Sequence, residues 1–203
     1  KPAKQNPYPP FITSTLQQEG VRKLRMSSQQ VMRNAQKLYE EGYITYMRTD
    51  SVSLSGEAIN GSRNAIKSLF GAEYLPETPP IYKSKVKNAQ EAHEAIRPAG
   101  ATFNNPKDIQ GKLDGQEWKL YDMIWKRTLA SQMKSAKLLK TNVEISDGKA
   151  MFDAHGKVIE FPGFLKVYVE DIDDPKKERD DKESILPPMQ EGESVTGKEF
   201  TPN

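Results

Sequence analysis

Apolar positions in the first two thirds of the chain recur every three or four residues, the spacing of helices with one buried face. Leu16, Val21 and Leu24 follow a Ser14/Gln17 pair that reads as a capping box, which predicts a short first helix. A second box, Ser27 with Gln30, opens a clearer helix carrying Val31, Met32, Ala35, Leu38 and Tyr39, and Gly42 stops it. Ser55 is placed to cap a third, with Ile59, Ile66, Leu69 and Phe70 along it and Gly71 at its end. Pro76, Pro79 and Pro80 mark a loop. Asp114 heads the strongest pattern, with Trp118, Tyr121, Ile124, Trp125 and Leu129 along one side. Such an aromatic stripe is far more often core than a ligand platform.

After about residue 137 the period changes to that of strands. Residues 138–145 read as one strand, Asp147-Gly148 as a turn and 150–154 as its partner. His155-Gly156 reads as a further turn into 157–161, and 163–169 and 193–200 look β-like. Four prolines in residues 1–11 predict an extended entry segment. Helices first and strands second imply an α+β chain, with a helical unit over 1–133 and a β-rich unit over 134–203. No internal repeat is visible.

Composition narrows the class. The 203 residues are 35% hydrophobic and 29% charged, and the absence of cysteine excludes disulfides and thiolate metal sites. No apolar run approaches the ~20 residues of a membrane span. Lys1 is not an initiator methionine, and the N-terminal stretch lacks a signal-peptide pattern, so the chain reads as cut from something longer. The net charge of +2 is unevenly placed: residues 1–150 hold 23 Lys and Arg against 15 Asp and Glu, whereas 151–203 hold 7 against 13. A basic first portion fits a polyanion partner, and fits an ordinary surface as well.

The chemistry concentrates in residues 42–51, where a phenol, a guanidinium and several hydroxyls follow the second helix. If 44–48 is extended, Tyr46 and Arg48 share a face with Ile44, and Tyr43, Thr45 and Met47 take the other. A phenol beside an arginine suits attack on a phosphodiester, because the guanidinium can hold the phosphate and stabilise its developing charge. The same residues also fit packing tyrosines in a strand. In the second patch, 93–98, His93 and Arg97 lie four apart and would converge on a helical turn, although Pro98 makes a turn or broken helix an equal reading. A converging pair can bind phosphate, and an exposed loop explains it too. Asp171, Asp173 and Asp174 with Glu170 suggest a metal site, but the basic residues that follow mark a solvated charge run. His155, in its expected turn, has no assigned role.

Residues 10–18, 42–51 and 90–98 together resemble the bacterial kind of type IA DNA topoisomerase I, and the helix around 122–127 falls where that family has one. The resemblance covers nearly the whole chain and is most secure over 10–133. It implies that Tyr46 is the nucleophile, forming a 5′-phosphotyrosine link and leaving a free 3′-hydroxyl. It also implies that Arg48 helps place that tyrosine and the scissile phosphate. His93, Arg97, Thr49 and Ser51 fall at the DNA, while Gln36, Glu40 and Asp50 fall among residues supporting the site.

Phenols titrate near ~10, so such a nucleophile needs a cation or base beside it. The resemblance further implies Mg²⁺, held by an upstream acidic domain with a catalytic lysine that this chain lacks. The implied partners are that domain and single-stranded or negatively supercoiled DNA. The implied setting is a bacterial cytoplasm or, alternatively, a plastid. Residues 134–203 would be half of the family's arch domain. A non-catalytic module that binds single-stranded DNA, with Tyr46 stacking or packing, is the competing reading. A scaffold that contacts protein through the acidic tail is a third.

Overall fold

Side chains that accept the orphan amides of a first turn set the helix starts. The computed structural model describes residues 1–83, 94–146, 148–169, 184–185 and 189–196. Helix α2 (Ser28–Glu40) carries the expected box: Ser27 Oγ accepts the Gln30 amide at 3.2 Å, and Gln30 Oε1 accepts the Ser27 amide at 2.8 Å. Ser55 Oγ accepts the Ala58 amide at the start of α3 (Gly56–Leu69). Asp114 Oδ1 accepts the amides of Gln116 and Glu117 to open α5 (Gly115–Ser131), and the short α4 (Pro106–Ile109) precedes it. The first helix departs from expectation. Helix α1 (Thr13–Leu24) starts two residues early, with Ile12 in place of Ser14 at the cap position, and Thr15 Oγ1, not a Ser14/Gln17 box, accepts the Ile12 amide at 3.1 Å.

Helix α5 is the hub, packing against α1, α2, α3 and α4. Leu120, Tyr121, Ile124 and Leu129 are fully buried, against Leu16, Val31, Leu38 and Ile66 of the other helices in one apolar cluster. At ~1.5–3 kcal/mol per buried large side chain, this cluster is the main source of stability. Gly20 lets α1 approach α2 closely, since a Cβ there would lie 2.6 Å from Val31 Cγ2. Val21 and Leu69, expected on buried faces, are 43% exposed.

The four-stranded sheet runs β1-β2-β3-β4. The proline-rich entry supplies the first strand, β1 (Pro2–Gln5), antiparallel to β2 (Ala136–Ser146) with Pro2 opposite Leu139. β3 (Met151–Phe161) returns along β2, and β4 (Ser184–Ile185) lies parallel to it. The turn expected at His155-Gly156 does not form. These residues pair with Asn142 and Thr141 in unbroken register, and His155 Nδ1 lies 3.1 Å from Asn142 Oδ1. Residues 163–169 are also not β: a 3₁₀ turn (Gly163–Leu165) leads into α6 (Lys166–Val169), which places Phe164 and Val167 against α5. Of the piece expected at 193–200, residues 193–196 form no strand and the rest lie outside the described residues.

Helices and sheet meet at Lys134. Its amide donates to the Tyr74 carbonyl at 2.8 Å, and its carbonyl accepts from Phe164 at 2.9 Å. Tyr74 stacks on Phe161 with ring centroids 5.3 Å apart. Ala136, Leu138 and Phe164 belong to the same apolar cluster as α5, so residues on both sides of 133/134 share one core.

Candidate active site

Three stretches far apart in sequence are joined by backbone hydrogen bonds. Residues 95–99 run extended between two partners: Ile96 donates to the Phe11 carbonyl at 2.8 Å, and Ala99 to that of Tyr43 at 2.9 Å. Thr45 donates through its amide to the Arg97 carbonyl at 2.9 Å and through its hydroxyl to that of Ala95 at 2.8 Å. Thr13, at the start of α1, donates its hydroxyl to the Met47 carbonyl at 2.8 Å and accepts the Thr49 amide at 2.9 Å. The extended form of 95–99 resolves the choice left open between a helical turn and a break. Pro98 disfavours helix at Arg97, and neighbours on both sides occupy the backbone groups a helix would need. His93 lies outside the described residues, as does the acidic run 170–174.

Tyr46 and Arg48 are exposed on this anchored segment, and Tyr46 is 43% accessible. The strand expected over 44–48 does not form. A single bridge holds Ile44 to Pro98, bends follow at Thr45 and Met47, and no alternation results. Ile44 and Met47 both point into the core, so Ile44 does not share the face of Tyr46 and Arg48. Tyr43 anchors the segment from behind, edge-on to Tyr121 at 6.0 Å. The Tyr121 hydroxyl donates to the Asn104 carbonyl, and burial holds that phenol well above the ordinary tyrosine range. Among the described residues, neither the Tyr46 hydroxyl nor the Arg48 guanidinium has a hydrogen-bond or ion-pair partner.

Other residues expected at the DNA turn inward. Arg97 is 5% exposed. Its guanidinium donates to Glu94 Oε2 at 2.7 and 3.1 Å and to the carbonyls of Pro98 and Gly100 at 2.9 and 3.0 Å. Glu94 Oε1 in turn accepts the amide of Ser55, so the pair ties residues 94–100 to the start of α3. Burial pushes the Glu94 carboxyl up, but hydrogen bonds from Ser55 and Arg97 and the arginine's charge outweigh it and leave the group below its ordinary value. Thr49 and Ser51 are buried and serve local turns: Thr49 Oγ1 accepts the Ser51 amide at 3.0 Å, and Ser51 Oγ the Ser53 amide at 3.2 Å. Asp50 is exposed between them. Thr49 and Ser51 thus shape the chain just after Arg48, while Arg97 and Glu94 are spent within 94–100 and on the start of α3.

The last turns of α2 complete the site. Gln36 Nε2 donates to Glu40 Oε1 at 2.6 Å, one turn on. Tyr39, between them on the same face, meets the Tyr46 ring edge-on with centroids 5.2 Å apart. Sequence reasoning assigned Tyr39 to the apolar stripe of α2, yet it is 41% exposed. The available signal was its place in the final turn, where Gly42, at φ +77°, reverses the chain back over the helix. Among the described residues no three or more His, Asp or Glu side chains gather into a group that could hold a metal ion. No described helix is long and apolar enough to cross a membrane.

Comparison with known proteins gives the family of the chain. A family model described as DNA topoisomerase matches residues 1–203. The chain is 53% identical over 206 residues to DNA topoisomerase 1 of Streptomyces coelicolor, covering 99% of the chain and 21% of that protein. It is 51% identical over 200 residues to DNA topoisomerase 1 of Synechococcus elongatus, covering 98% and 22%. The structure of full-length topoisomerase I from Thermotoga maritima superposes with a TM-score of 0.69 at 38% identity, over 96% of this chain and 31% of that one. The chain thus spans about a fifth of the length of these curated relatives. By the match along its whole length, the chain belongs to the DNA topoisomerase family.

Proposed function

We propose that this chain carries the nucleophile of a type IA DNA topoisomerase, with Tyr46 as the residue that becomes joined to DNA. The observation that carries the reading is the contrast at 44–49. The backbone there is bonded to three other stretches, while the Tyr46 hydroxyl and the Arg48 guanidinium are exposed and unspent. In the proposed reaction the Tyr46 oxygen attacks phosphorus and forms a Tyr–O–P bond to the 5′ side. The phosphorus–O3′ bond breaks, the 3′-oxygen takes up a proton, and the phenol proton passes to a base outside the described residues. Arg48 holds the non-bridging oxygens as charge builds on them. The resulting aryl ester has a good leaving group, so the 3′-hydroxyl reverses the step without an external energy source. Another strand can pass before resealing, which relaxes negatively supercoiled DNA.

In this reading Gln36, Glu40 and Asp50 support the site, and His93 contacts the DNA backbone. Arg97, Thr49 and Ser51 act by shaping the loop that carries Arg48. Mg²⁺ is assigned to an acidic domain elsewhere in the protein, and no step above is routed through it. Single-stranded DNA is the proposed substrate and a bacterial cytoplasm the proposed setting.

The test exchanges this chain for the matching segment of the Streptomyces coelicolor enzyme and traps the covalent adduct on labelled single-stranded DNA with Mg²⁺. Adduct is expected, and Tyr46→Phe is expected to abolish it. DNA binding without adduct in the parent exchange would favour the binding-module reading, and an adduct surviving Tyr46→Phe would remove Tyr46 from its role.

A further inference from the structure

We infer that Tyr39 is a positioning residue for the Tyr46 nucleophile, an inference that rests on the reading of Tyr46 given above. A tyrosine on irregular backbone with much of its surface in water would ordinarily move among rotamers on the picosecond-to-nanosecond scale. Tyr46 is such a residue: bends flank it, and its hydroxyl has no partner among the described residues. The aromatic ring that meets it belongs to Tyr39, 5.2 Å away between centroids with planes at 64°, an edge contact of the favoured kind.

Tyr39 itself stands on rigid ground. It lies in the last turn of α2, where its carbonyl accepts the Gly42 amide at 3.0 Å while Leu38 receives the Tyr43 amide at 2.8 Å. The turn that carries Tyr39 is therefore also the turn that returns the chain toward Tyr46. Both rings are about two-fifths exposed, so the pair adds little to the core. Its geometric effect is to remove orientations of Tyr46 in which the hydroxyl would fold back over α2. Restricting a nucleophile to near-attack orientations accelerates the chemical step without changing substrate affinity.

The test compares Tyr39→Phe and Tyr39→Leu in the full-length exchange with the Streptomyces coelicolor enzyme. Single-turnover cleavage of a labelled oligonucleotide, its Kd and the thermal midpoint are measured together. Phe keeps the ring edge and is expected to cleave within about 2-fold of the parent. Leu removes the edge and is expected to slow cleavage about 3- to 10-fold, the range of one aromatic pair, with Kd and midpoint unchanged. A Leu variant as fast as the parent, a loss that appears in Kd, or a Phe variant as slow as Leu overturns the proposal. Tyr46→Phe runs in parallel. Adduct surviving that change removes the nucleophile itself, whereas its loss beside a fully active Tyr39→Leu sinks only the role of Tyr39.

Discussion

The Thr13 hydroxyl donates to the Met47 carbonyl at 2.8 Å while accepting the Thr49 amide at 2.9 Å, so the first residue of α1 fixes the peptides on both sides of Arg48. One side chain thereby links a helix start to the direction in which the guanidinium projects. Thr13→Val keeps the shape and removes the hydroxyl, stranding the Thr49 amide in a partly buried place. The expected loss is about 1–2 kcal/mol in urea unfolding. Cleavage in the full-length exchange should fall further than in Thr15→Ala, which removes a bond at the same helix start but none to residues 47–49. Equal effects of the two substitutions would show that Thr13 acts only on α1.

Arg48 is exposed and without an ion partner among the described residues, so removing it leaves no buried charge behind. Arg48→Ala should unfold at the same urea concentration as the parent while single-turnover cleavage drops about 10²–10³-fold, the scale for losing a donor to a developing oxyanion. Arg48→Lys should recover only part of the rate, since an ammonium lacks the planar fork. Full recovery by lysine would mean that charge alone matters at this position.

The Glu94–Arg97 pair makes a pH prediction. The folded-state pKa of Glu94 is lowered, so its contribution is present above the unfolded value near 4.5 and is lost as pH falls through the folded value. Glu94→Gln should therefore unfold at a lower temperature than the parent at pH 6–7. The two proteins should converge as pH is lowered beneath about 4. A gap that stays constant across this window would show that the carboxylate charge contributes nothing and that the glutamine merely fits badly.

Much of the helical part was legible because its signals are local. Ser27, Ser55 and Asp114 cap where they read as caps, and each owes this to a side-chain oxygen a few bonds from its own amide partners. The errors arose where distant contacts decide. The strand signal of 44–48 is overridden by Thr13 and by residues 95–99, which impose bends that place both Ile44 and Met47 in the core. His155-Gly156 is a good turn dipeptide, yet its pairing with Asn142 and Thr141 carries it within β3. Arg97 shows the limit for sites: its residue type suits a phosphate, and only the fold reveals that Glu94 and two carbonyls already hold it. Tyr39 was missed for the converse reason, because an aromatic at helical spacing reads as core until its exposure is known.

Gly42 sets the reversal between α2 and the Tyr46 segment, and its φ of +77° lies where side chains with a Cβ are strained. Nothing lies within 4 Å of a Cβ built there, so substitution tests the backbone conformation alone. Gly42→Ala should lose about 1–2 kcal/mol, and Gly42→Asn less, because asparagine tolerates the left-handed region. Domains of this kind have about 5–15 kcal/mol to lose, so both variants stay folded at 25 °C. Any fall in cleavage by the alanine variant then reports displacement of Tyr46 and not loss of the fold. The expected order of cleavage rates is glycine, asparagine, alanine, tracking the order of stability. If alanine matches glycine in stability but not in cleavage, the turn has relaxed to another geometry and carried the nucleophile with it. If it matches in both, the left-handed turn is not required to present Tyr46.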